Sequence, residues 1–392
     1  MRYNIIAAIA FIGLFVFLTA CDKQDITDEQ QMKFIKYYGY SDDDMGADII
    51  QLSDNSYALV GTINSSVQER DMCFIKTDKY GNSTESIKLF GARHNDEGVK
   101  IKEVPTGGYI LLGTYENTVE RDKDIYMVKL NSDGVAVWER TFGSTADDEA
   151  FDILALDEGG FIITGYSDSL EINSRDILIA KVSASGELEW FNLIGYSGVE
   201  TGQCLMETND GYLIVGTTNS RPVGTNVNNI IVVKTNKSGT GFLPKTFSSS
   251  GNTEGIHVEQ VNSSYYILGT AYGADAVTSQ FTILNIDNNL NLITENSFGE
   301  GTKCYAKKLI KKGDNLYIYG TTEFDINSQE ITLINTTTSL SNFEYHYYGS
   351  TSLMQAAGIS ETSDGGFIMT GVNKINEKSS ILLIKVDSGL IL

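Results

Sequence analysis

The sequence predicts an all-β protein built from seven similar four-stranded antiparallel units. Its first indication is a glycine that follows a short apolar segment and recurs every 51 to 53 residues, at Gly61, Gly113, Gly165, Gly216, Gly269, Gly320 and Gly371. A fixed period of this length is typical of repeat architectures, in which each copy packs on its neighbours. The 392 residues could supply two ordinary domains, but the repeat predicts one body.

The third copy shows the four strands of a unit most clearly. The predicted strands are the segments 150–156, 161–164, 176–182 and 188–194. Turn residues separate them, at Glu158-Gly159-Gly160, Ser167–Ser174 and Ser185-Gly186. These spacings are typical of consecutive hairpins in an antiparallel sheet.

Several of these strands are continuously apolar, which indicates burial on both faces of each sheet. Ile177–Ala180 and Ile230–Val233 show this pattern. Small sheets that are covered on both faces and repeated around an axis form a β-propeller, so we predict a seven-bladed propeller. The alternative is a β-solenoid, whose coils are usually shorter and lack regular hairpin turns.

The two chain ends predict how such a ring would close. Met32–Gly39 resembles the fourth strand of a unit, as in the segment 137–143, whereas the chain ends with a third strand, Ile381–Val386, and the stub Leu390–Leu392. We therefore predict that Met32–Tyr38 completes the unit that begins near Met354.

The N-terminus predicts a lipid anchor. Arg2 precedes the apolar stretch Ile5–Leu18, and Leu18-Thr19-Ala20-Cys21 resembles a lipobox, the processing site of bacterial lipoproteins. The resemblance implies a signal peptide over residues 1–20, cleavage before Cys21 and diacylglycerol on its sulfur, which anchors a protein without a membrane span. The alternative is an uncleaved membrane helix, for which the stretch is short.

These features predict a position in the bacterial cell envelope. The acidic segment 21–31 reads as a tether between the lipid and the propeller, which would span residues 32–392. We expect attachment to the outer membrane, although Asp22 leaves the inner membrane and the choice of leaflet open. The net charge of −22 argues against nucleic acid as a partner, because that affinity depends on Lys and Arg neutralising phosphates.

A periodic series of acids is the clearest chemical regularity. Its members are Asp44, Asp96, Asp148 and Glu200, which are 52 residues apart. They precede the first strand of each unit and would crowd one mouth of the central channel, as a cation site or an electronegative ring. The alternative, which we favour, is that each carboxylate accepts backbone N–H groups in its own turn.

Other residues give weaker signals. Asp-x4-Lys pairs on the third strands, such as Asp71 and Lys76, point to opposite faces and predict structural pairing. Three cysteines remain besides Cys21, in units too far apart to form a disulfide, and the three histidines lack metal-ligand spacing. We expect no metal, no cofactor and no catalytic residue, since nucleophile-elbow, zinc-protease and phosphate-loop motifs are missing.

The repeat as a whole resembles those of bacterial envelope propellers. The residues that carry the resemblance are Phe142-Gly143, Asp148, Gly159-Gly160-Phe161-Ile162, Gly165-Tyr166, Asp176-Ile177, Lys181, Gly186 and Trp190. The resemblance implies a propeller fold in an extracytoplasmic setting, but it carries no single activity.

Three functions remain open at this stage. The first is a monomeric module that binds or scaffolds a protein or a glycan. The second is a glycan-active enzyme with its site over the channel, and the third is a structural subunit of an envelope complex. One deep pocket with acids and aromatics from different units would favour the enzyme, and an even, shallow rim would favour the binding module.

Overall fold

The computed structural model describes residues 32–392 except 42, 67–68, 92–93, 118, 120–121, 169–173, 221–226, 248–250, 276 and 350–351. The predicted signal peptide (1–20), the tether (21–31) and Cys21 lie outside the described residues. In the part described, no helix is long and apolar enough to cross a membrane.

The described residues form 28 strands and are all-β. The first strands of the units are β2 (Met45–Gln51), β6 (Glu97–Glu103), β10 (Asp148–Ala155), β14 (Glu200–Glu207), β18 (Thr253–Val261), β22 (Lys303–Lys312) and β26 (Leu353–Glu361). The second strands are β3 (Tyr57–Ser66), β7 (Tyr109–Glu116), β11 (Phe161–Asp168), β15 (Gly211–Thr218), β19 (Ser264–Tyr272), β23 (Asn315–Asp325) and β27 (Phe367–Ile375).

The remaining strands complete the units on their outer side. The third strands are β4 (Glu69–Thr77), β8 (Lys123–Leu130), β12 (Arg175–Val182), β16 (Asn229–Asn236), β20 (Ser279–Asp287), β24 (Ser328–Thr337) and β28 (Lys378–Val386). The fourth strands are β5 (Lys88–Phe90), β9 (Ala136–Phe142), β13 (Leu188–Ile194), β17 (Leu243–Phe247), β21 (Leu292–Phe298), β25 (Glu344–Tyr348) and β1 (Phe34–Ser41).

Hydrogen bonding groups these strands into six sheets. Five are four-stranded and antiparallel, with strands in chain order, and are called sheets 1 to 5. The other is eight-stranded and consists of two four-stranded halves, β22–β25 (sheet 6) and β26–β28 with β1 (sheet 7). A single parallel pair, Gln329 with Leu353, joins the two halves.

The first strand of the chain pairs with the last. In the antiparallel register of β1 and β28, Phe34 lies opposite Lys385 and Tyr38 lies opposite Ile381. The opening strand therefore lies in the sheet of β26, as the sequence predicts. Lys33 adds an ion pair of 3.2 Å to Asp387, just beyond the end of β28.

The apolar core lies between neighbouring sheets and covers both faces of their middle strands. Ile177–Ala180 on β12 and Ile230–Val233 on β16 are fully buried, as their continuous apolar patterns predict. One cluster joins sheets 7 and 1 through residues such as Ile49, Leu59 and Ile381. The fourth strands are the exposed edge, where Phe191 is 46% exposed.

The periodic glycines are needed because the backbones of the first and second strands approach closely. A Cβ on Gly165 would lie 1.9 Å from the Glu149 carbonyl oxygen, and one on Gly216 would lie 1.7 Å from that of Thr201. The same clash, with a carbonyl oxygen of the first strand, recurs at the other five periodic glycines.

A β-bulge in every first strand accompanies this approach. In sheet 3 the register shifts between Ala150 and Asp152, opposite Gly165 and Thr164. Corresponding shifts occur in all seven units. We expected the second strand to stop at the glycine, which is wrong: β11 continues to Asp168, because the glycine faces the bulge inside the ladder.

A recurrent hydrogen bond, here called the turn latch, ties each sheet to the next. A side chain, on the third or fourth strand except for Tyr266 on the second, donates to a backbone carbonyl in the turn that follows the third strand of the neighbouring sheet. The seven latches are Lys88 to Asp133, Trp138 to Ala184, Asn192 to Ser238, Lys234 to Asn288, Tyr266 to Thr338, Tyr348 to Leu390 and Tyr38 to Gly81. The last runs from β1 to sheet 1, at 2.6 Å.

Deleting residues 32–38 should destabilise the protein markedly. The deletion removes most of the partner of β28 and the Tyr38 latch, and several backbone hydrogen bonds at about 1 kcal/mol each give a loss of about 5 kcal/mol. The measurement is the thermal unfolding midpoint, with deletion of residues 22–28 as a control of equal length. An unchanged midpoint for the first deletion would contradict the role of β1.

Candidate functional site

The four periodic acids lie inside the sheets. Asp44, Asp96, Asp148 and Glu200 are all between 0% and 2% exposed. Each accepts a backbone N–H: Asp44 from Ser41 at 3.0 Å, Asp96 from Glu116 at 3.1 Å, Asp148 from Ser144 at 2.6 Å and Glu200 from Tyr196 at 2.9 Å. Ser144 and Tyr196 belong to the turn before the first strand, Ser41 is the last residue of β1, and Glu116 belongs to the second strand.

The register shows what replaces these acids elsewhere. In sheets 1 to 4 the periodic acid stands two positions before the residue that pairs with the periodic glycine. The same position holds Thr253 in sheet 5, Cys304 in sheet 6 and Met354 in sheet 7. All three are buried. A thioether cannot replace a carboxylate as an acceptor of backbone N–H groups, so the position tolerates different local solutions within one fold.

Half-buried acids occur one residue later, on the opposite side of the first strand. Glu149 accepts from the Lys123 ammonium at 2.8 Å and from the Tyr166 hydroxyl at 2.6 Å. In the same position, Glu97 pairs with Arg70 at 2.9 Å and Glu254 accepts from Tyr272 at 3.0 Å. The cations come from the preceding sheet and the tyrosine hydroxyls from the acid's own sheet, so these carboxylates serve the framework.

The structure reveals a second set of polar residues that sequence reasoning missed. It lies just after each bulge and is called the inner belt: Asp48, Lys100, Asp152, Cys204, His257 and Lys308, with Gly358 in sheet 7. These residues follow the periodic acids, or their replacements, by four positions. The 52-residue period, applied to polar residues of either charge, would have found them.

The inner belt lies on the first strands, and the space that these strands face is here called the central channel. Each first strand contacts the first strands of the neighbouring sheets, and β2 also contacts β26. The Ile101 amide donates to Asp48 Oδ2 at 3.4 Å, and the Leu205 amide donates to Asp152 Oδ2 at 3.0 Å. Lys308 Nζ donates to the Ile359 carbonyl at 2.9 Å. The belt side chains thus bridge from one sheet to the next.

Charges of the inner belt interact across several sheets. Burial works to lower the pKa of Lys100, but Asp48 and Asp152 outweigh it and the pKa is raised. Burial works to raise the pKa of Asp48, but Lys100 and Lys308 outweigh it and the pKa is lowered. These groups belong to sheets 1, 2, 3 and 6, so charges from four sheets act on one another here.

Two groups in the channel titrate near neutral pH. Burial, assisted by Lys102 and Lys100, lowers the pKa of Lys308 to about 8 even though Asp48 and Asp152 oppose it. Burial raises the pKa of Glu259 to about 7, against the effect of Lys308 and Lys311. Burial and then Lys308 and Lys100 hold the pKa of His257 well below its usual value, so this imidazole is neutral.

Two cavities in the described part of the chain are open to solvent and lie at different places in the fold. One of about 850 Å³, here called the amide cleft, lies between sheets 4 and 5. Its lining includes Asn209, Asp210, Asn236, Lys245, Gln260, Tyr265, Asn288 and Asn289. The other, of about 610 Å³, lies between sheets 6 and 7 and includes Tyr305, Lys307, Glu323, Gln329 and Gln355.

The remaining predicted features serve the framework. On the third strands, Lys76 donates to the Ser132 carbonyl of the next sheet at 3.3 Å, and Lys181 pairs with Glu189 at 3.3 Å. Cys73, Cys204 and Cys304 are free and buried. Among the described residues, no group of three or more His, Cys, Asp or Glu could hold a metal ion.

Comparison with known proteins places the fold among the β-propellers. No family model matches the chain, and no curated protein matches it by sequence. The β-propeller domain of the Trilobed protease from Pyrococcus furiosus, described as having an open velcro topology, matches with a TM-score of 0.51 at 10% identity, over 90% of this chain and 98% of that one. The fold is therefore a β-propeller made of repeated four-stranded units.

Two further solved structures are similar in fold, one a polysaccharide lyase and the other a protein with a bound peptide. The polysaccharide lyase Uly1 matches with a TM-score of 0.55 at 10% identity, over 88% of this chain and 90% of that one. YCF48 bound to a D1 peptide matches with a TM-score of 0.55 at 10% identity, over 90% of this chain and 94% of that one. At such identities the likeness carries the fold and no activity.

The raised pKa of Glu259 predicts a pH dependence of stability. A carboxyl whose pKa rises from 4.5 to about 7 on folding binds its proton more tightly in the folded state. Its stabilising contribution is therefore present below about pH 4.5 and is lost as the pH rises towards 7, by at most about 3 kcal/mol. The measurement is the free energy of unfolding of wild type and Glu259→Gln, from urea denaturation at several pH values. As the pH rises from 4.5 to 7, the wild type should become less stable relative to the variant. A difference that does not vary with pH would contradict the shift.

Proposed function

We propose that this protein is a lipid-anchored, seven-bladed β-propeller that binds a protein partner in the bacterial cell envelope. The pairing of β1 with β28 and the Tyr38 latch support a ring of seven blades that the N-terminal strand closes. The lipobox-like segment before Cys21 supports the anchor, and the outer membrane is the location that we propose for it.

The amide cleft is the observation that carries the binding proposal. Its walls come from turns of two neighbouring blades and present carboxamides on Asn209, Gln260, Asn288 and Asn289. A carboxamide has both donors and an acceptor, so a row of them suits the alternating N–H and C=O groups of a peptide backbone. YCF48, a propeller of similar fold, is seen with a bound peptide, which adds support by analogy.

A glycan is the less favoured occupant of the cleft. Sugar rings commonly stack on an exposed aromatic face, but Tyr265 is only 4% exposed and Lys234 Nζ lies 5.2 Å from the centre of its ring. The polar lining fits a peptide better for this reason. The third function, a structural subunit of an envelope complex, also requires a protein partner, so the same proposal covers it.

The alternative function is a glycan-active enzyme with its site in the channel. The observation that favours it is the pair of near-neutral groups, Glu259 with a pKa of about 7 and Lys308 with a pKa of about 8. General acids and bases act best when their pKa lies near the working pH. Turnover of a polysaccharide or a peptide by the purified protein would establish this alternative instead.

Blocking the amide cleft should abolish partner capture. The test is crosslinking and capture by the full-length chain in detergent-solubilised membranes, comparing wild type with the double variant Asn209→Arg and Asn289→Arg. Both side chains are exposed, so the substitutions fill the cleft without disturbing the core. We expect the recovery of a specific partner to fall at least tenfold.

The matched control is Ser132→Arg, in the corresponding turn of the second blade. Its side chain is also exposed and it does not line the cleft. Equal recovery by wild type and the double variant, or no specific partner for the wild type, would reject the cleft as the binding surface.

The lipid anchor is tested separately. Replacing Cys21 by Ser removes the only sulfur that could carry the predicted diacylglycerol, so the variant should lack the lipid mass and should not be processed before residue 21. Mass spectrometry of the purified chain, with membrane fractionation of cells, gives both results. An intact N-terminus in the wild type, or the same processing in both proteins, would contradict the lipoprotein assignment.

A further inference from the structure

The central channel concentrates positive charge within a strongly acidic protein. Four lysines on two first strands, Lys100, Lys102, Lys307 and Lys308, interact electrostatically with the inner belt or with one another. The formal net charge of the whole chain is −22. The lysines therefore form a positively charged region, which the acidic composition of the chain does not suggest.

The nearby carboxylates do not balance these lysines. Asp48 and Asp152 are the two belt carboxylates, and each also accepts a backbone N–H of the adjacent first strand. Outside the belt, Glu254 acts to raise the pKa of Lys307, but this carboxylate already accepts a hydrogen bond from Tyr272. Glu259, with a pKa of about 7, carries only part of a negative charge at neutral pH. The carboxylates of the inner belt therefore do not neutralise all of the positive charge on the four lysines.

A neutral imidazole beside the lysines lacks a hydrogen-bond partner. His257 Nδ1 is buried and makes no hydrogen bond. A buried polar atom without a partner is costly, so such an atom indicates a group that a bound molecule or ion would satisfy. In the Nδ1–H tautomer this imidazole donates one hydrogen bond and adds no charge.

A cavity that is open to solvent lies next to the inner belt along β22. Lys307 is exposed and lines the cavity of about 610 Å³ between sheets 6 and 7, together with Tyr305, Gln329 and Gln355. The next residue along β22 is Lys308 of the inner belt. The surrounding protein, and after it Lys100, lowers the pKa of Lys307, so the cavity and the belt share one electrostatic environment.

The overall negative charge does not prevent an anion from reaching the belt. At physiological ionic strength the Debye length is about 8 Å, so exposed carboxylates farther away are largely screened. Close to the belt, the lysines and the low water content dominate the potential.

We propose that the central channel binds a small tetrahedral oxyanion, of the phosphate or sulfate class, between Lys100, Lys307 and Lys308 with a hydrogen bond from His257. A polyatomic oxyanion can accept from several ammonium groups at once, which a monatomic anion does less well. The site is separate from the amide cleft and does not depend on the proposed partner.

The test is a titration of the full-length protein in detergent with inorganic phosphate and, separately, sulfate. Calorimetry is done at pH 7 with the ionic strength held constant by sodium chloride, so that chloride competes equally throughout. We expect saturable binding of at least one oxyanion, with a dissociation constant below about 1 mM, and a higher unfolding midpoint when the anion is saturating.

Variants locate the site. Lys307→Gln removes an exposed ammonium without disturbing the core and should weaken binding at least tenfold, and Lys308→Met should abolish it. Lys237→Gln is the control, because Lys237 is an exposed lysine in a turn of sheet 4 and should leave the affinity unchanged. If Lys308→Met fails to fold in chloride, Lys307→Gln and a crystal soaked in selenate, read from the selenium signal, decide the matter.

The results separate this proposal from the one on partner binding. Phosphate binding is measured without a partner, so it can succeed when capture fails, and the reverse also holds. Absence of saturable binding to either oxyanion, equal loss of affinity in Lys237→Gln, or selenate located away from the channel would overturn the proposal.

Discussion

The close approach of the first and second strands of each blade is the constraint on which the rest of the structure depends. Where Gly165 faces the bulge at Phe151, the two backbones come so close that any Cβ would overlap a carbonyl oxygen. The bulge sets the direction of every side chain after it on the first strand, because one extra residue exchanges the two faces. The inner belt occupies its position for this reason.

The sequence predicts the architecture well, because that architecture rests on a repeated local pattern. The glycine period, the continuous apolar runs such as Ile230–Val233 and the strand-like segment at Met32–Gly39 each correspond to a described feature. The extent of the second strands was predicted poorly, because a glycine inside a ladder looks the same in sequence as a glycine that ends a strand. Cys21 and the segment before it lie outside the described residues.

The candidate site was much harder to predict, for a physical reason. The periodic acids attract attention because they share one sign, yet Asp148 and Glu200 lie within their own sheets and accept backbone N–H groups. The inner belt has the same period but varies between acid, base, thiol and imidazole, so its spacing reveals it whereas the similarity of its residues does not. Its significance appears only when residues from different blades, such as Lys100 and Asp152, are brought together.

The turn latches have a consequence for how such a molecule can change over evolutionary time. In each, the acceptor is a main-chain oxygen, which every amino acid supplies, as at Ala184, Leu390 and Gly81. The other side chains of these turns can therefore change without loss of the hydrogen bond, whereas Gly81 is fixed by its φ of +71° and by the nearby Phe34 ring. These turns can diversify, and acquire new specificities, on a framework that remains the same.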